Sequence, residues 1–567
     1  MATFTQKNGF AKVIQVIFVL FSLLLLGLLA NSFFQQDEWH SFGLILGYGK
    51  RYLTLDKSFW QILLFERIGS KLITYWLFNL FDTNAIGFGI LAWLLHVTNS
   101  LLVYLLTSKL IRNKRTGLLA GSFFLVSSVS HQGYSWFGTM VGTTFSVTLM
   151  LLSLISYLNY LFKPKKPTLF LSLSLLTLSF FFKETALFIF LLYPLIWIIK
   201  QKQKITLPRF LQNNAPTLIL GVLIITLFTR TIIAIPGERA NYVEINNRGP
   251  VKLLSHLIRF PTEGSIQIFL PASITFPLAQ VLTRIWRPDL IPETSEYDAF
   301  YQTQAAETVS VILLLFFIFS LYKFSKKYLL KTNTNLKQAF SISLIFLILS
   351  FLPYTILSRF DAYLESRYYY APAIGAALLL AVISQVYLQK EKRIKFLTYL
   401  FLIVFLMLHA LLTVKDLYSL VITGQIRKKV LADIVKIVPK LPLVTIFYIT
   451  GNSPGFYGLP ELKVPFQSGL GHVLMVEYAR KGQLSPKFFT EQTLTQALDV
   501  GFLYDIVGQG YKIIEGKGFG YFLDGDILAA TLTENKLTKK DIIPLFYDAD
   551  LKKIELRPQL LDGININ

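Results

Sequence analysis

A series of long uncharged apolar runs constrains the fold of this chain more than any other feature. The first run contains no charged residue between Lys12 and Asp37, and similar runs recur to about residue 415. An apolar run of about 18 residues is long enough to cross a bilayer as an α-helix. Hydrophobic residues make up 53% of the chain. The pattern predicts an all-α polytopic membrane protein.

Eleven of these runs are predicted to be transmembrane helices. They lie at about 11–31, 85–108, 116–131, 137–161, 168–182, 185–199, 213–235, 306–322, 338–358, 369–388 and 396–414. A cleaved signal peptide is the alternative for the first run. Its apolar core is too long for that, and a small-residue cleavage pattern is weak.

Lysine and arginine are concentrated in alternate linkers. The linkers after the second, fourth, sixth, eighth and tenth spans carry twenty of them, against a single acid, Glu391. Such basic linkers face the cytoplasm. We therefore predict a plasma or inner membrane protein with a cytoplasmic N-terminus, and we expect the acids of the opposite linkers on the outer face.

Composition excludes several classes of function. The net charge of +22 would suggest nucleic-acid binding in a soluble protein, but here the cations lie between spans, so we predict no nucleic-acid partner. The absence of cysteine excludes disulfides, thiol catalysis and cysteine-bound metals. No P-loop, GxGxxG, HExxH or GxSxG motif supports ATP or nucleotide-sugar chemistry.

The chain divides into two predicted domains, 1–414 and 415–567. The first has long outer loops at about 32–84 and 236–305, with amphipathic stretches in both. The second is richer in turn residues, and short apolar runs there are typical of strands. These runs are 443–452, 510–516, 520–526 and 552–558. We predict a small extracytoplasmic domain of mixed α/β or β type.

Two adjacent carboxylates, Asp37 and Glu38, follow the first span. A single acid at this position can simply mark the boundary with water. Trp39 and His40 come next, which favours a segment packed at the interface. Ionisable groups near the membrane are costly and are often functional. Further polar residues occur at outer span ends, and the candidates among them include His131 and Glu365.

Lys183 and Glu184 interrupt the apolar stretch FFFKETALF between two short spans. A tight outer turn with a local ion pair is the structural alternative. That alternative explains the topology, but it does not explain why costly groups occur between spans this short. We predict that both side chains belong to an outer cavity.

Arg367 precedes a span in the motif LESRYYYAP. An aromatic belt with a snorkelling arginine would produce the same pattern. Arginine also binds phosphate in a bidentate manner, and tyrosine donates hydrogen bonds to it. Arg359 lies eight residues earlier. We predict that Arg367, Arg359, Tyr368 and Tyr370 contribute to a site for a lipid-borne phosphate.

The order of these motifs resembles that of the GT-C membrane glycosyltransferases, and most closely the protein O-mannosyltransferase and TMTC-like branch of family 39. The matching segments cover residues 10–415. They are the acidic pair after the first span, LLHVTNSLLVYLL at 94–106, SHQGYSWFGTMVGTTFSVTLMLLSLISY at 130–157, KETALFIFLLYP at 183–194 and ESRYYYAP at 365–372.

The resemblance implies a GT-C fold and a polyprenyl-phosphate sugar as donor. It implies inverting transfer on the outer face with Asp37, beside Glu38, as catalytic base. Arg367, and with it Lys183 and Arg359, would hold the donor phosphate. Tyr368 and Tyr370 are further phosphate-binding candidates, and His40, His131, Glu184 and Glu365 are further cavity candidates. We predict no cofactor and no divalent metal.

Where the chain departs from the family pattern, the acceptor cannot be inferred. Ser130 and His131 replace the usual His-Pro, and Glu66 to Ile68 replace an Arg-Pro-Leu motif. The C-terminal segment lacks both helical repeats and a β-trefoil. The resemblance therefore leaves three classes of acceptor open, namely a protein, a glycan or a lipid. A lipid-linked glycan polymerase or ligase, a lipid or glycan transporter, and a non-catalytic scaffold remain alternatives.

Overall fold

The chain folds mainly into helices, followed by a small C-terminal sheet. The computed structural model describes residues 2–35, 37–55, 67–201, 205–234, 250–286, 295–355, 366–452, 470–490 and 508–564. Two predicted site residues, Arg359 and Glu365, lie outside this part, and so does the side chain of Asp37.

Eighteen α-helices, α1 to α18, lie in the described residues. They are Ala2–Ala30, Asp37–Tyr48, Ile68–Phe81, Ala85–Ile111, Lys114–Val126, Gln132–Ser135, Phe137–Phe162, Lys166–Phe180, Ile189–Lys200, Leu207–Ala234, Pro250–Phe269, Ala272–Trp286, Ser295–Lys327, Thr334–Leu349, Pro372–Tyr387, Lys392–Ile437, Leu470–Arg480 and Gly525–Glu534.

Each of the eleven predicted spans overlaps one of these helices, and the number of spans stays a prediction. In the described part of the chain, seven helices are long and apolar enough to cross a membrane. They overlap the spans predicted at 11–31, 85–108, 137–161, 213–235, 306–322, 338–358 and 396–414, of which residues 235 and 356–358 lie outside the described residues. Helices α8 and α15 are apolar but shorter. The protein is therefore a mostly helical membrane protein.

Helices α4 and α5 form a tight antiparallel pair. Arg112 ends α4 in the left-handed conformation, and the side chain of Asn113 caps α5 by accepting the backbone N–H groups of its first turn. A Cβ atom on Gly117 or Gly121 would lie within 2.8 Å of α4 carbonyl oxygens. Small residues four positions apart let helix backbones approach closely, and GLLAG in the sequence provides this spacing.

Within the described residues, the C-terminal sheet has five strands in the order β2-β3-β1-β4-β5. The strands are Val444–Gly451, Gly508–Ile514, Lys517–Phe522, Ile542–Asp548 and Lys553–Leu556. Strand β1 is central and runs parallel to β3 and β4, while β2 and β5 are antiparallel edge strands. Four strands overlap the predicted runs, and β2 and β3 begin two and three residues earlier than predicted. Strand β4 contains Pro544, which disfavours a strand interior, and the sequence pattern did not reveal it.

The helical part and the sheet share one hydrophobic core. Helix α16 runs without interruption past residue 414, the predicted domain boundary, to Ile437. Buried side chains of the C-terminal part, such as Phe447 and Phe488, belong to the same cluster as Trp39 and Phe42 of α2. The C-terminal part is therefore packed directly against the helix that follows the first span.

Candidate functional site

Helix α2 begins at Asp37 and directs Glu38 into the protein. Glu38 is only 3% exposed. One carboxylate oxygen accepts the backbone N–H of Gly138 at 2.8 Å, and the other accepts that of Gln35 at 3.2 Å. Gly138 lies in the first turn of α7, whose N–H groups lack partners within the helix. Glu38 therefore caps α7, and the charge of Arg427 is near enough to interact with it.

Glu184 forms an ion pair with Arg67, and the adjacent Lys183 is near enough to influence its charge. The Arg67 guanidinium donates to both carboxylate oxygens of Glu184, at 3.0 Å and 2.6 Å. Arg67 has a φ angle of 46° immediately before α3, and the left-handed region is costly for residues other than glycine. The N–H of Gly69 donates to the Phe181 carbonyl at 2.8 Å, which fixes this turn against the loop that carries Lys183.

The Lys183 ammonium is buried and donates to the Thr143 hydroxyl of α7 at 2.8 Å. Burial, together with the nearby Arg67 and Arg367, lowers the pKa of Lys183 to about 7, although Glu184 acts in the opposite direction. Burial alone would raise the pKa of Glu184, but Arg67 and Lys183 hold it below its ordinary value. The result is a buried lysine that titrates near neutrality beside two arginines.

Arg367 lies between two aromatic rings. Its guanidinium carbon is 4.7 Å from the Trp136 ring centre and 5.1 Å from that of Tyr368. It also donates a hydrogen bond to the Tyr368 hydroxyl at 3.3 Å. The Lys183 ammonium lies 5.9 Å from the centre of the Tyr368 ring. Arg67 and Arg367 are both near enough to Lys183 to influence its charge.

The start of α7 connects the acidic helix to this cation cluster, which consists of Arg67, Lys183 and Arg367. Glu38 binds the backbone of Gly138, Arg367 stacks on Trp136, and Lys183 binds Thr143. All three contacts fall within eight residues of chain. The sequence prediction treated Glu38, Lys183 and Arg367 as parts of one site, and the structure brings each of them to this segment.

Tyr370 lies elsewhere, in the interior between helices. Its hydroxyl contacts His96 Nδ1 at 2.9 Å and receives a hydrogen bond from the Asn99 amide at 3.2 Å. His96 and Asn99 are themselves fully buried on α4. These bonds occupy the hydroxyl in helix packing, whereas the neighbouring Tyr368 points to the cation cluster.

His131 contacts a carboxylate that the sequence reasoning did not consider. Its Nδ1 lies 2.8 Å from the Ser128 carbonyl, 3.1 Å from the Ser366 hydroxyl and 3.8 Å from a carboxylate oxygen of Asp416. Ser366 also accepts the backbone N–H of Gln132 at 3.2 Å. Asp416 belongs to α16, two residues beyond the predicted last span.

Helix α2 is held from its other side by the C-terminal part. His472 of α17 is buried, and its Nε2 lies 3.0 Å from the carbonyl oxygen of Trp39. Burial lowers the pKa of His472 to about 3, with a smaller effect from His40, whose ring centre is 5.8 Å away. His472 is therefore neutral. Arg480 donates to Asp82 after α3, at 2.6 Å from its Nε.

The residues missed from the sequence are Arg67, Asp416 and Trp136. Arg67 was visible only as part of a departure from a family motif, and its partner is 117 residues away. Asp416 was assigned to the following domain. Trp136 lies within the matched segment SHQGYSW, and an aromatic residue beside a predicted cation site was the one available signal.

Known proteins give no further assignment of this site. No protein-family model matches the chain, and no curated protein is similar to it. Within the described ranges, no three His, Asp or Glu side chains converge as metal ligands would. The absence of a required metal stays a prediction.

Proposed function

We propose that this protein is an integral membrane glycosyltransferase of the GT-C type, with a polyprenyl-phosphate sugar as donor and an acceptor hydroxyl on the outer face. The observation that supports it most is the cation cluster of Arg67, Lys183 and Arg367 at the ends of apolar helices. Of the three, Lys183 is buried. A buried cation there is costly, and a lipid-borne phosphate is an anion delivered at that depth.

The chemistry requires a base and a stabilised leaving group. Asp37 removes the proton from the acceptor hydroxyl, and the acceptor oxygen then attacks the anomeric carbon of the donor sugar. The bond between that carbon and the phosphate oxygen breaks, and its electron pair stays on the phosphate. The polyprenyl phosphate thus gains one negative charge, which the cation cluster stabilises. Attack from the opposite side inverts the anomeric configuration.

Glu38 and Asp37 then have different tasks. Glu38 holds the start of α7 through Gly138, so it positions the first turn of α2 against α7. Asp37, the first residue of that helix, is the base.

The decisive test replaces Asp37 with asparagine in the full-length protein, reconstituted with labelled polyprenyl-phosphate sugars and membrane extract as acceptor source. We expect transfer to fall by about 100-fold or more, the range for loss of a general base, with unchanged melting temperature. Asp562→Asn is the matched control, because Asp562 is exposed in the C-terminal part. Equal transfer by wild type and Asp37→Asn would remove Asp37 from the mechanism. Absence of transfer by the wild type from every donor would refute the proposed function.

A further inference from the structure

A second polar centre lies beside the cation cluster and has no task in the steps above. It consists of His131, Asp416 and Tyr134. His131 Nδ1 faces the Ser128 carbonyl, which can only accept, so Nδ1 carries the proton and is directed toward Asp416 as well. The Asp416 side chain is 33% exposed and near enough to influence Tyr134. The Asp416 carboxylate therefore lies near both the His131 imidazole and the Tyr134 phenol.

Tyr134 brings an unused hydrogen-bonding group to this centre. Its side chain is fully buried, and its ring stacks on His96 with the ring centres 3.9 Å apart. Within the described ranges its hydroxyl has no hydrogen-bond partner. A buried polar group without a partner destabilises the folded state, so folds rarely retain one without a reason.

Neighbouring residues show the same property. Buried polar atoms of Gln132, Ser135 and Trp136 also lack a partner in the part of the chain that the structure describes. Together with Tyr134 they concentrate four unused groups in five consecutive residues. Amide, hydroxyl, phenol and indole groups are those that recognise a small polar molecule with several hydroxyls.

Ser366 connects this segment to the cation cluster. Its hydroxyl contacts His131 and accepts the N–H of Gln132, and the next residue, Arg367, stacks on Trp136. A phosphate bound by Arg367 would therefore place its substituent beside residues 131–136.

We propose that Asp416, His131 and Tyr134 bind the hydroxyl groups of the sugar that the donor phosphate carries. This inference rests on the proposed function and assigns the sugar to a neutral pyranose. The Asp416 carboxylate accepts hydrogen bonds from sugar hydroxyls and repels a uronic acid. Tyr134 donates the bond that it does not make within the protein.

The test compares the binding of three lipids to the full-length protein in nanodiscs. They are polyprenyl phosphate, its neutral hexose ester and its glucuronate ester. Wild type should bind the hexose ester about 10-fold more tightly than the glucuronate ester. Asp416→Asn should remove this preference, and Tyr134→Phe should weaken hexose-ester binding several-fold. Both variants should bind polyprenyl phosphate like the wild type.

Melting temperature separates binding from folding. Tyr134→Phe should not lower it, because the removed hydroxyl has no described partner. Tyr193→Phe is the matched control: its buried hydroxyl bonds Ser153 and Ser172, so that variant should melt earlier and bind all three lipids normally.

Three results would overturn the inference. One is a loss of stability in Tyr134→Phe, and another is equal weakening of all three lipids by Asp416→Asn. The third is tighter binding of the glucuronate ester by the wild type. In each of these cases Lys183-dependent binding of polyprenyl phosphate would still support the proposed function. Failure of the wild type to bind any of the three lipids would refute both proposals.

Discussion

Lys183 determines how the candidate site responds to pH. Its pKa lies at about 7 because burial and two neighbouring arginines disfavour the charged form, so about half of the empty protein carries the proton at neutral pH. A bound anion favours the charged form. Lys183 therefore takes up a proton when a phosphate binds, and the affinity for that phosphate should fall as pH rises.

This prediction is measurable with a polyprenyl-phosphate hexose, a phosphodiester whose own charge is constant above pH 6. The dissociation constant should rise by up to about 10-fold per pH unit above pH 7 in the wild type. Lys183→Arg should bind with little pH dependence, because a guanidinium stays charged. An identical pH profile in the two proteins would show that Lys183 does not meet the phosphate.

Sequence alone indicated the costly residues but not their partners. Lys183 and Glu184 were conspicuous because two charges interrupt an apolar run. The bidentate pairing of Glu184 with Arg67, and the contact of His131 with Asp416, join segments more than 100 residues apart. No local periodicity encodes such pairings, since they depend on which helix ends meet.

At the scale of elements, the position of α2 depends on close contact with the C-terminal part. A Cβ atom on Gly43 would lie 2.6 Å from the Phe489 ring and 2.7 Å from His472 Nε2. That space allows His472 to reach the Trp39 carbonyl. Helix α2, which carries the acidic pair, thus packs between α7 and α17.

Gly43→Ala should therefore destabilise the protein by about 1–3 kcal/mol, the usual cost of overpacking a core, and should reduce sugar transfer by shifting α2. Differential scanning fluorimetry and the transfer assay measure the two effects. Gly27→Ala is the matched control. It is also a helical glycine, and a Cβ atom there would meet nothing within 4 Å. Equal stability and equal sugar transfer in the two variants would contradict the dependence of α2 on its contact with the C-terminal part.

The helices of this fold were easier to predict than its strands. Long apolar runs predict helices, because a segment inside the bilayer must satisfy its backbone hydrogen bonds internally. The sequence pattern does not predict strand β4, because Pro544 is unusual inside a strand. Parallel pairing with β1 holds this strand in the sheet. The sequence does not predict the packing of α17 on α2, because the apolar face of a short helix does not determine which element it contacts.

At the scale of the whole molecule, the charge pattern predicts which side of the membrane each part occupies. The chain has no cysteine, so single cysteines can be introduced without background labelling. Lys165→Cys lies in a basic linker, Asp562→Cys lies in the C-terminal part, and both positions are exposed. An impermeant maleimide should label Asp562→Cys in intact cells and Lys165→Cys only after permeabilisation. The reverse pattern would invert the proposed topology and remove the donor site from the outer face.

Helix α16 also sets a fixed interval between two parts of the protein. Asp416 faces His131 and Arg427 faces the Glu38 region, and the spacing of eleven positions between them makes just over three whole turns, about 16 Å of rise. Both side chains therefore emerge from the same side of the helix. A one-residue insertion between them would rotate everything beyond it by about 100° and take Arg427 away from Glu38. In related chains the loop lengths should vary freely, but the spacing of eleven positions between Asp416 and Arg427 should be conserved. This spacing is therefore a means of recognising such chains.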